Sequence, residues 1–431
     1  MIKTRYTRKL SQAERLWLAL DYQGMSMAYF LVVDGKGDIP PAAMSEALQK
    51  LAKIYPICRS TIKGHLKNLR WEESGVAPRY IQRGQTSQPM SEWPTQEERK
   101  LYFEQLDLKN EAPVAVYSFT DGKKHRLYFK IHHCALDGVA TYFLVNDVFA
   151  ILRGEEPMGE SEGPDTREDL YAAVLPKDFF EKREQELKRQ KAEEKKAGTS
   201  TLIYGSTMDS HLISPPSTQK QVEWTKLFIP YEKLKASSVN GLLVSLSMEA
   251  LSLTNPKIRG RHLQAGLAVD LRFLIPGLRK AANLAGLVTV DVDKYYPLSV
   301  MERAAHISAD IKARIKAGDA LRQHPAFVEW VPIWLMSLGM SLYRKVLFKR
   351  RLYSSFFPLA NGGRYSLPKI STETYTATGS WGIPMLQINT PLFTGFLTHE
   401  NGIEFTLASD TDKEYFERFI QSLKDVIANI A

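Results

Sequence analysis

The chain has 431 residues, 44% hydrophobic and 24% charged, which excludes wholesale disorder and allows two domains or one double-size unit. Two cysteines, Cys58 and Cys134, exclude a disulfide scaffold and fit a reducing compartment. Lys and Arg number 57 against 48 Asp and Glu, a formal charge of +9 that points to an anionic partner without naming it.

The basic start (Lys3, Arg5, Arg8, Lys9) imitates a signal peptide, but Gln12, Glu14 and Arg15 interrupt any apolar stretch behind it. The expectation is therefore a cytoplasmic protein. Residues 10–20 read as a helix, with Ser11 as cap and Glu14 at the capping-box spacing. Residues 27–33 are apolar and β-prone, and Gly35-Lys36-Gly37-Asp38 supplies a turn. Pro41 opens a helix with Met44, Leu48 and Leu51 at helical spacing. Strand-like pieces follow, ending at 114–120, where Asp121-Gly122 turns the chain into a strand over 126–133, then an apolar helix over 139–152.

Residues 155–200 change character, and the mixed-charge run 181–196 predicts a solvated helix laced by i,i+4 pairs, or a partly ordered crossover. This marks a boundary, giving a first half over 1–165, a charged linker over 166–220 and a second half over 221–431. In the second half, 240–253 reads as a buried helix and 262–271 as a strand. Residues 395–407 read as a hairpin turning at Asn401-Gly402. The last helix carries Phe416, Phe419, Ile420, Leu423, Val426, Ile427 and Ile430 on one face. Turn, strand, acidic residue and helix recur, with Asp137 in the first half and Asp410 and Asp412 in the second, as in two similarly built α/β layers.

Residues 326–343 are almost continuously apolar and are followed by Arg344, Lys345, Lys349, Arg350 and Arg351. The stretch is short for a membrane span and carries Glu329 and Pro332. Two readings remain open: buried helices of a large domain, or a peripheral membrane contact over 326–351. Nothing in the sequence supports nucleic-acid binding.

One stretch carries chemistry. Residues 125–138 read His-Arg-Leu-Tyr-Phe-Lys-Ile-His-His-Cys-Ala-Leu-Asp-Gly. Strand alternation puts Leu127, Phe129, Ile131 and His133 on one face and Tyr128, Lys130 and His132 on the other. The two histidines therefore divide: one faces an open site, the other packing or a hydrogen-bond partner. Gly138 tolerates unusual backbone angles, and Asp137 can cap the next helix. Metal binding by His132, His133 and Asp137 is poorly supported, because consecutive strand histidines diverge. A Cys134 nucleophile activated by His133 fails on the same geometry. A purely structural histidine pair stays open.

The run His132-His133-Cys134-Ala135-Leu136-Asp137-Gly138 resembles the HHxxxDG signature of the chloramphenicol acetyltransferase-like acyltransferases, which include condensation domains, BAHD acyltransferases and alcohol acetyltransferases. Further segments resemble the family in the same order. They are Leu10–Glu14, Tyr55–Arg59, Val269-Asp270-Leu271-Arg272 and Asn283-Leu284-Ala285-Gly286, with Ala282 replacing a glycine, and, loosely, 354–363. The resemblance implies two α/β halves in a V, a crossover from the second half completing the first half's sheet, and an active-site channel between them.

It further implies that His133 is the general base, taking a proton from a hydroxyl or amine acceptor that attacks an acyl thioester. No acyl-enzyme forms, and the Gly138 N–H, at a helix start where donors are unpaired, is one candidate to meet the oxyanion. Asp137 would pair with Arg272 to hold the loop, with His132 supporting the strand end. Asn283 and Trp381 are candidates for the channel wall. No cofactor is implied beyond the co-substrate, an acyl-CoA or the phosphopantetheine of an acidic acyl-carrier protein. The Tyr- and Phe-rich segments and 326–343 lean towards a hydrophobic substrate. The alternatives are a catalytically degenerate ligand- or carrier-binding protein and a membrane-surface binding protein.

Overall fold

The structure is a computed structural model describing residues 6–23, 26–86, 90, 93–196, 222–233, 238–259, 262–323, 326–349, 357–385, 392–409 and 413–430. In chain order, the first part carries β1 (Thr7–Lys9), α1 (Gln12–Asp21), β2 (Ala28–Gly37), α2 (Pro41–Ile54), β3 (Ser60–Lys63), β4 (Arg70–Glu73) and β5 (Arg79–Gln85). It continues with α3 (Gln96–Phe103), β6 (Val114–Thr120), β7 (His125–His132), α4 (Gly138–Leu152), α5 (Arg167–Val174) and α6 (Phe179–Lys196). The second part carries β8 (Glu223–Pro230), α7 (Val239–Thr254), β9 (Gln264–Asp270), β10 (Ala285–Asp291), α8 (Val300–Lys316) and α9 (Ile333–Lys349). It ends with β11 (Phe357–Arg364), β12 (Tyr375–Ile383), β13 (Leu392–Thr398), β14 (Gly402–Ser409) and α10 (Lys413–Ala428).

These elements form two α/β lobes. One sheet has the order β12-β2-β7-β6-β5, the other β10-β9-β11-β13-β14-β8, and β1-β4-β3 make a small third sheet. The first lobe packs Met44, Leu48 and Leu51 of α2 and Leu144 of α4 into one core with Val32, Val116 and Phe129 of its sheet. The second packs Leu246 of α7, Ile307 of α8, and Phe419 and Leu423 of α10 into a core with Leu267, Val288 and Phe405. The expected crossover is present: β12 leaves the second lobe and pairs antiparallel with β2, Trp381 opposite Val32.

Local signals translate directly. Ser11 Oγ accepts from the Glu14 N–H and the Glu14 carboxylate accepts from the Ser11 N–H, so the capping box of α1 closes. The charge run forms α6, with Lys188 paired to Glu184 four residues back at 2.7 Å. Within the expected linker, α5 is not free. Its Leu170 and Tyr171 are buried in the second core, so chain beyond residue 165 already belongs to that packing.

Three readings are corrected. Residues 35–37 are strand, not turn, because β12 extends the pairing of β2 to Gly37. Gly35 is required there by close approach, since a Cβ would lie 2.4 Å from the Tyr375 ring. The β13–β14 hairpin turns at Glu400-Asn401, where the His399 N–H donates to Gly402 O at 2.9 Å, and Gly402 is already strand. The apolar stretch 326–343 does not form buried helices: α9 packs one face on α1 and leaves Trp334, Leu338 and Leu342 about half exposed. Among the described residues no helix is long and apolar enough to cross a membrane. Asp410, Asp412, residues 354–356 and 350–351 lie outside the described residues.

Candidate active site

β7 runs buried along its whole length and ends at His132, and Asp137 caps α4 five residues later. The intervening loop is pinned at its start, where the His133 N–H donates to Met27 O at 2.8 Å. The two histidines point apart, as strand alternation predicts. His132 is fully buried. Its Nδ1 accepts from the Cys134 N–H at 3.1 Å, and its Nε2 lies 3.3 Å from Asp21 Oδ1 at the end of α1.

His133 faces a cavity. Its ring stacks on Trp17 at 4.5 Å and meets the edge of Tyr29 at 5.2 Å. Asn283 Nδ2 donates to the His133 carbonyl at 2.6 Å and lies 3.1 Å from Nδ1. Burial drives the imidazole pKa down to about 4, against the pull of the Asp137 carboxylate and a hydrogen bond to its own backbone. The ring is therefore neutral at physiological pH. Cys134 is buried, its thiol donating to Glu14 O at 3.3 Å and pushed well up by burial, so it is no nucleophile.

Asp137 is a junction between the lobes. Its Oδ1 accepts the Ala140 N–H at 2.9 Å, while Oδ2 accepts the Leu284 N–H at 2.7 Å and Arg272 Nη1 at 3.0 Å. Arg272 is almost wholly buried and also donates to Asp270 and to the carbonyls of Lys280 and Ala282. Burial alone would lower its pKa, but the carboxylates of Asp137 and Asp270 hold it raised.

The cavity, about 270 Å³, lies between the lobes. Tyr29, His133, Gly138, Val139 and Thr141 line it from the first, and Val269, Phe393, Phe396, Leu397 and Gly362 from the second. Its wall is mostly apolar, and among its described lining residues there is no Lys or Arg. The +9 charge is therefore not gathered at this cavity. Gly138 does not have the left-handed backbone its type allows; it is the regular first residue of α4. A Cβ there would meet only Gly362 and Asn361, at 3.8 and 3.9 Å, which is ordinary contact. Among the described residues no group of three His, Cys, Asp or Glu side chains is placed to hold a metal ion.

Two expected wall residues do not line the cavity. Trp381 is fully buried under Lys226 at 4.0 Å and Arg126 at 5.0 Å, a core role set by β12 joining the first sheet. Asn283 is buried behind His133 and holds its backbone. Trp17 and Tyr29 were not foreseen. Tyr29 pairs with Ile131 across the β2–β7 ladder, so knowledge of that pairing would place it beside His133; Trp17 carries no such signal.

Residues 5–197 match the family model of the Condensation domain. A comparison with curated proteins finds no match. Among solved structures, the first condensation domain of the CDA synthetase is similar with a TM-score of 0.66 at 14% identity, covering 100% of this chain and 98% of its own. The starter condensation domain of rhizomide synthetase, solved in complex with C8-CoA, aligns with a TM-score of 0.63 at 15% identity over 100% of this chain and 96% of its own. Polyketide synthase associated protein 5 from Mycobacterium tuberculosis gives 0.61 at 13% identity over 98% of each chain.

Proposed function

We propose that this chain, a member of the chloramphenicol acetyltransferase-like superfamily to which the condensation domains belong, moves an acyl group from a thioester donor to a hydroxyl or amine acceptor. The observation that carries the reading is a neutral His133 imidazole facing an apolar cavity shared by both lobes, with Asp137 turned into the Arg272 pair. We assign the ring proton to Nδ1, so that the Asn283 amide donates to the His133 carbonyl alone and Nε2 is left as the accepting atom. Nε2 takes the acceptor's proton as its oxygen or nitrogen bonds to the thioester carbon. The carbonyl π electrons move to oxygen, and the Gly138 N–H, free of an intrahelical partner as the first residue of α4, is the proposed donor to it. One such donor is worth about 2.7–4 kcal/mol. Collapse breaks the C–S bond, and the imidazolium returns the proton to the departing thiolate.

The C8-CoA held by the rhizomide synthetase domain and the apolar lining here support an acyl-CoA donor. An acyl-carrier phosphopantetheine presents the same thioester. Octanoyl-CoA with a panel of alcohols and amines, followed by thiol release and product mass, tests the reading. His133→Ala should keep the wild-type melting profile and lose roughly 10²–10⁴-fold in rate. Full activity in that variant would remove His133 from the mechanism. Octanoyl-CoA bound without turnover by the wild type would favour a catalytically degenerate binding protein instead.

A further inference from the structure

α9 inverts the pattern of a core-facing helix. Trp334, Leu335, Leu338, Leu342, Tyr343 and Val346 recur three and four residues apart on one face, and each is 43–58% exposed. The inward side carries Ser337, only 7% exposed, whose carbonyl accepts Gln23 Nε2 at 2.9 Å. The turn before the helix exposes two more large aromatics, Phe327 at 64% and Trp330 at 62%. Ile333 packs against the first core, yet most of the large apolar side chains of α9 face outward, and an exposed patch of this kind marks an interaction surface.

The residues around the strip say what covers it. Lys345 and Lys349 stand exposed at the end of α9, without an ion pair among the described residues, and Lys67 lies over the Trp330 ring at 4.4 Å. Glu329, the single acidic residue between 326 and 349, is partly buried and accepts from Gln12 Nε2 of α1 at 3.5 Å. Large exposed aromatics, exposed leucines and a lysine border suit an anionic bilayer, whose headgroup boundary takes rings, whose acyl chains take leucines and whose phosphates take ammonium groups. The strip has no row of exposed polar groups to specify a protein partner. A second copy would bring two +9 chains together with no acidic residue on this face to offset them.

We infer that the outward face of α9, with Phe327 and Trp330 before it, is a membrane-binding surface for anionic lipid. α1 separates this face from the cavity. Trp17 of α1 stacks on His133, and Trp17 and Leu20 pack on Met27 and Met385, the last of which lines the cavity. Seated on a bilayer, the chain holds this end of its apolar cavity one helix away from the lipid. The surface does not depend on the acyltransferase reading, because binding is read without turnover.

Flotation of the whole chain with phosphatidylcholine vesicles, with and without phosphatidylglycerol, tests it. The wild type should float with the phosphatidylglycerol vesicles, and less as salt is raised. Leu338→Glu/Leu342→Glu should abolish flotation with an unchanged melting profile, and Lys345→Glu/Lys349→Glu should weaken it. A wild type that stays in the soluble fraction, or a leucine double variant that floats as well as wild type, overturns the proposal. So does a wild-type dimer in sedimentation that the leucine substitutions dissociate, since a second copy then covers the face. Capture by an acidic acyl-carrier protein through the same leucines, without vesicle binding, overturns it as well.

Discussion

His133 is set by burial more than by charge, and this fixes the sign of its pH dependence. A general base, the role proposed for His133, works unprotonated, and the folded pKa of about 4 lies below the ordinary value near 6.5. The activity that depends on His133 should therefore persist as pH falls through 6.5 and be lost only as pH approaches about 4. A kcat/KM profile breaking near 6.5 would show a solvated imidazole. The same shift governs stability. Below 6.5 the unfolded chain takes up a proton that the folded chain refuses until about 4, so stability falls through that window by at most about 1.4 kcal/mol per pH unit. Denaturation of wild type and His133→Ala at about pH 7 and about pH 5 should show a smaller loss in the variant.

Arg272 makes a second residue-scale case. Removing it leaves the Asp137 carboxylate buried at the lobe junction with its backbone donors alone, and Arg272→Ala should cost about 3–5 kcal/mol along with activity. Asp270→Asn should cost less, because Asp270 is about a third exposed and Arg272 keeps Asp137. Equal losses in chemical denaturation would contradict that ranking.

Elements differ in how far their determinants reach along the chain, and this decides what the sequence reveals. The α1 capping box lies within four residues, so Ser11 and Glu14 were legible, as was the strand Val114–Thr120, where β-prone residues end at a turn. HHxxxDG was legible for the same reason, and with it the opposite faces of His132 and His133. The partner of β12 was not, because Trp381 pairs with Val32 nearly the whole chain away, and its burial follows from that pairing. Asn283 and Trp17 were opaque as neighbours of His133 for the same reason. The outward face of α9 could not be read because hydrophobicity alone does not say which side a helix turns to the core. Two substitutions probe near and far determinants. Ser11→Ala should cost about 1 kcal/mol by uncapping α1. Gly35→Val should cost roughly 1–3 kcal/mol, its side chain driven into the Tyr375 ring of β12. A Gly35→Val chain as stable as wild type would mean that β12 is not held against β2.

At the scale of the molecule, the two lobes interlock. The second half lends β12 to the first sheet, and Val222 and Trp224 to the first core. Arg272 reaches Asp137, Arg279 reaches Asp147 at 2.9 Å, and Lys280 reaches Asp165 at 3.0 Å. The stretch 5–197 that matches the Condensation domain therefore lacks the strand that closes its own sheet. Expressed alone, it would expose the β2 edge, with unpaired backbone groups, and the hydrophobic surface that Tyr375 and Trp381 cover. A fragment of residues 1–196 should thus fail to melt cooperatively and should aggregate, while the whole chain unfolds in one transition seen alike by circular dichroism and tryptophan fluorescence. A sharp transition in that fragment would mean the first lobe is complete without β12. The fragment should also lose the proposed acyl transfer from octanoyl-CoA even where it stays soluble, because Asn283, Arg272 and half of the cavity wall come from the other lobe.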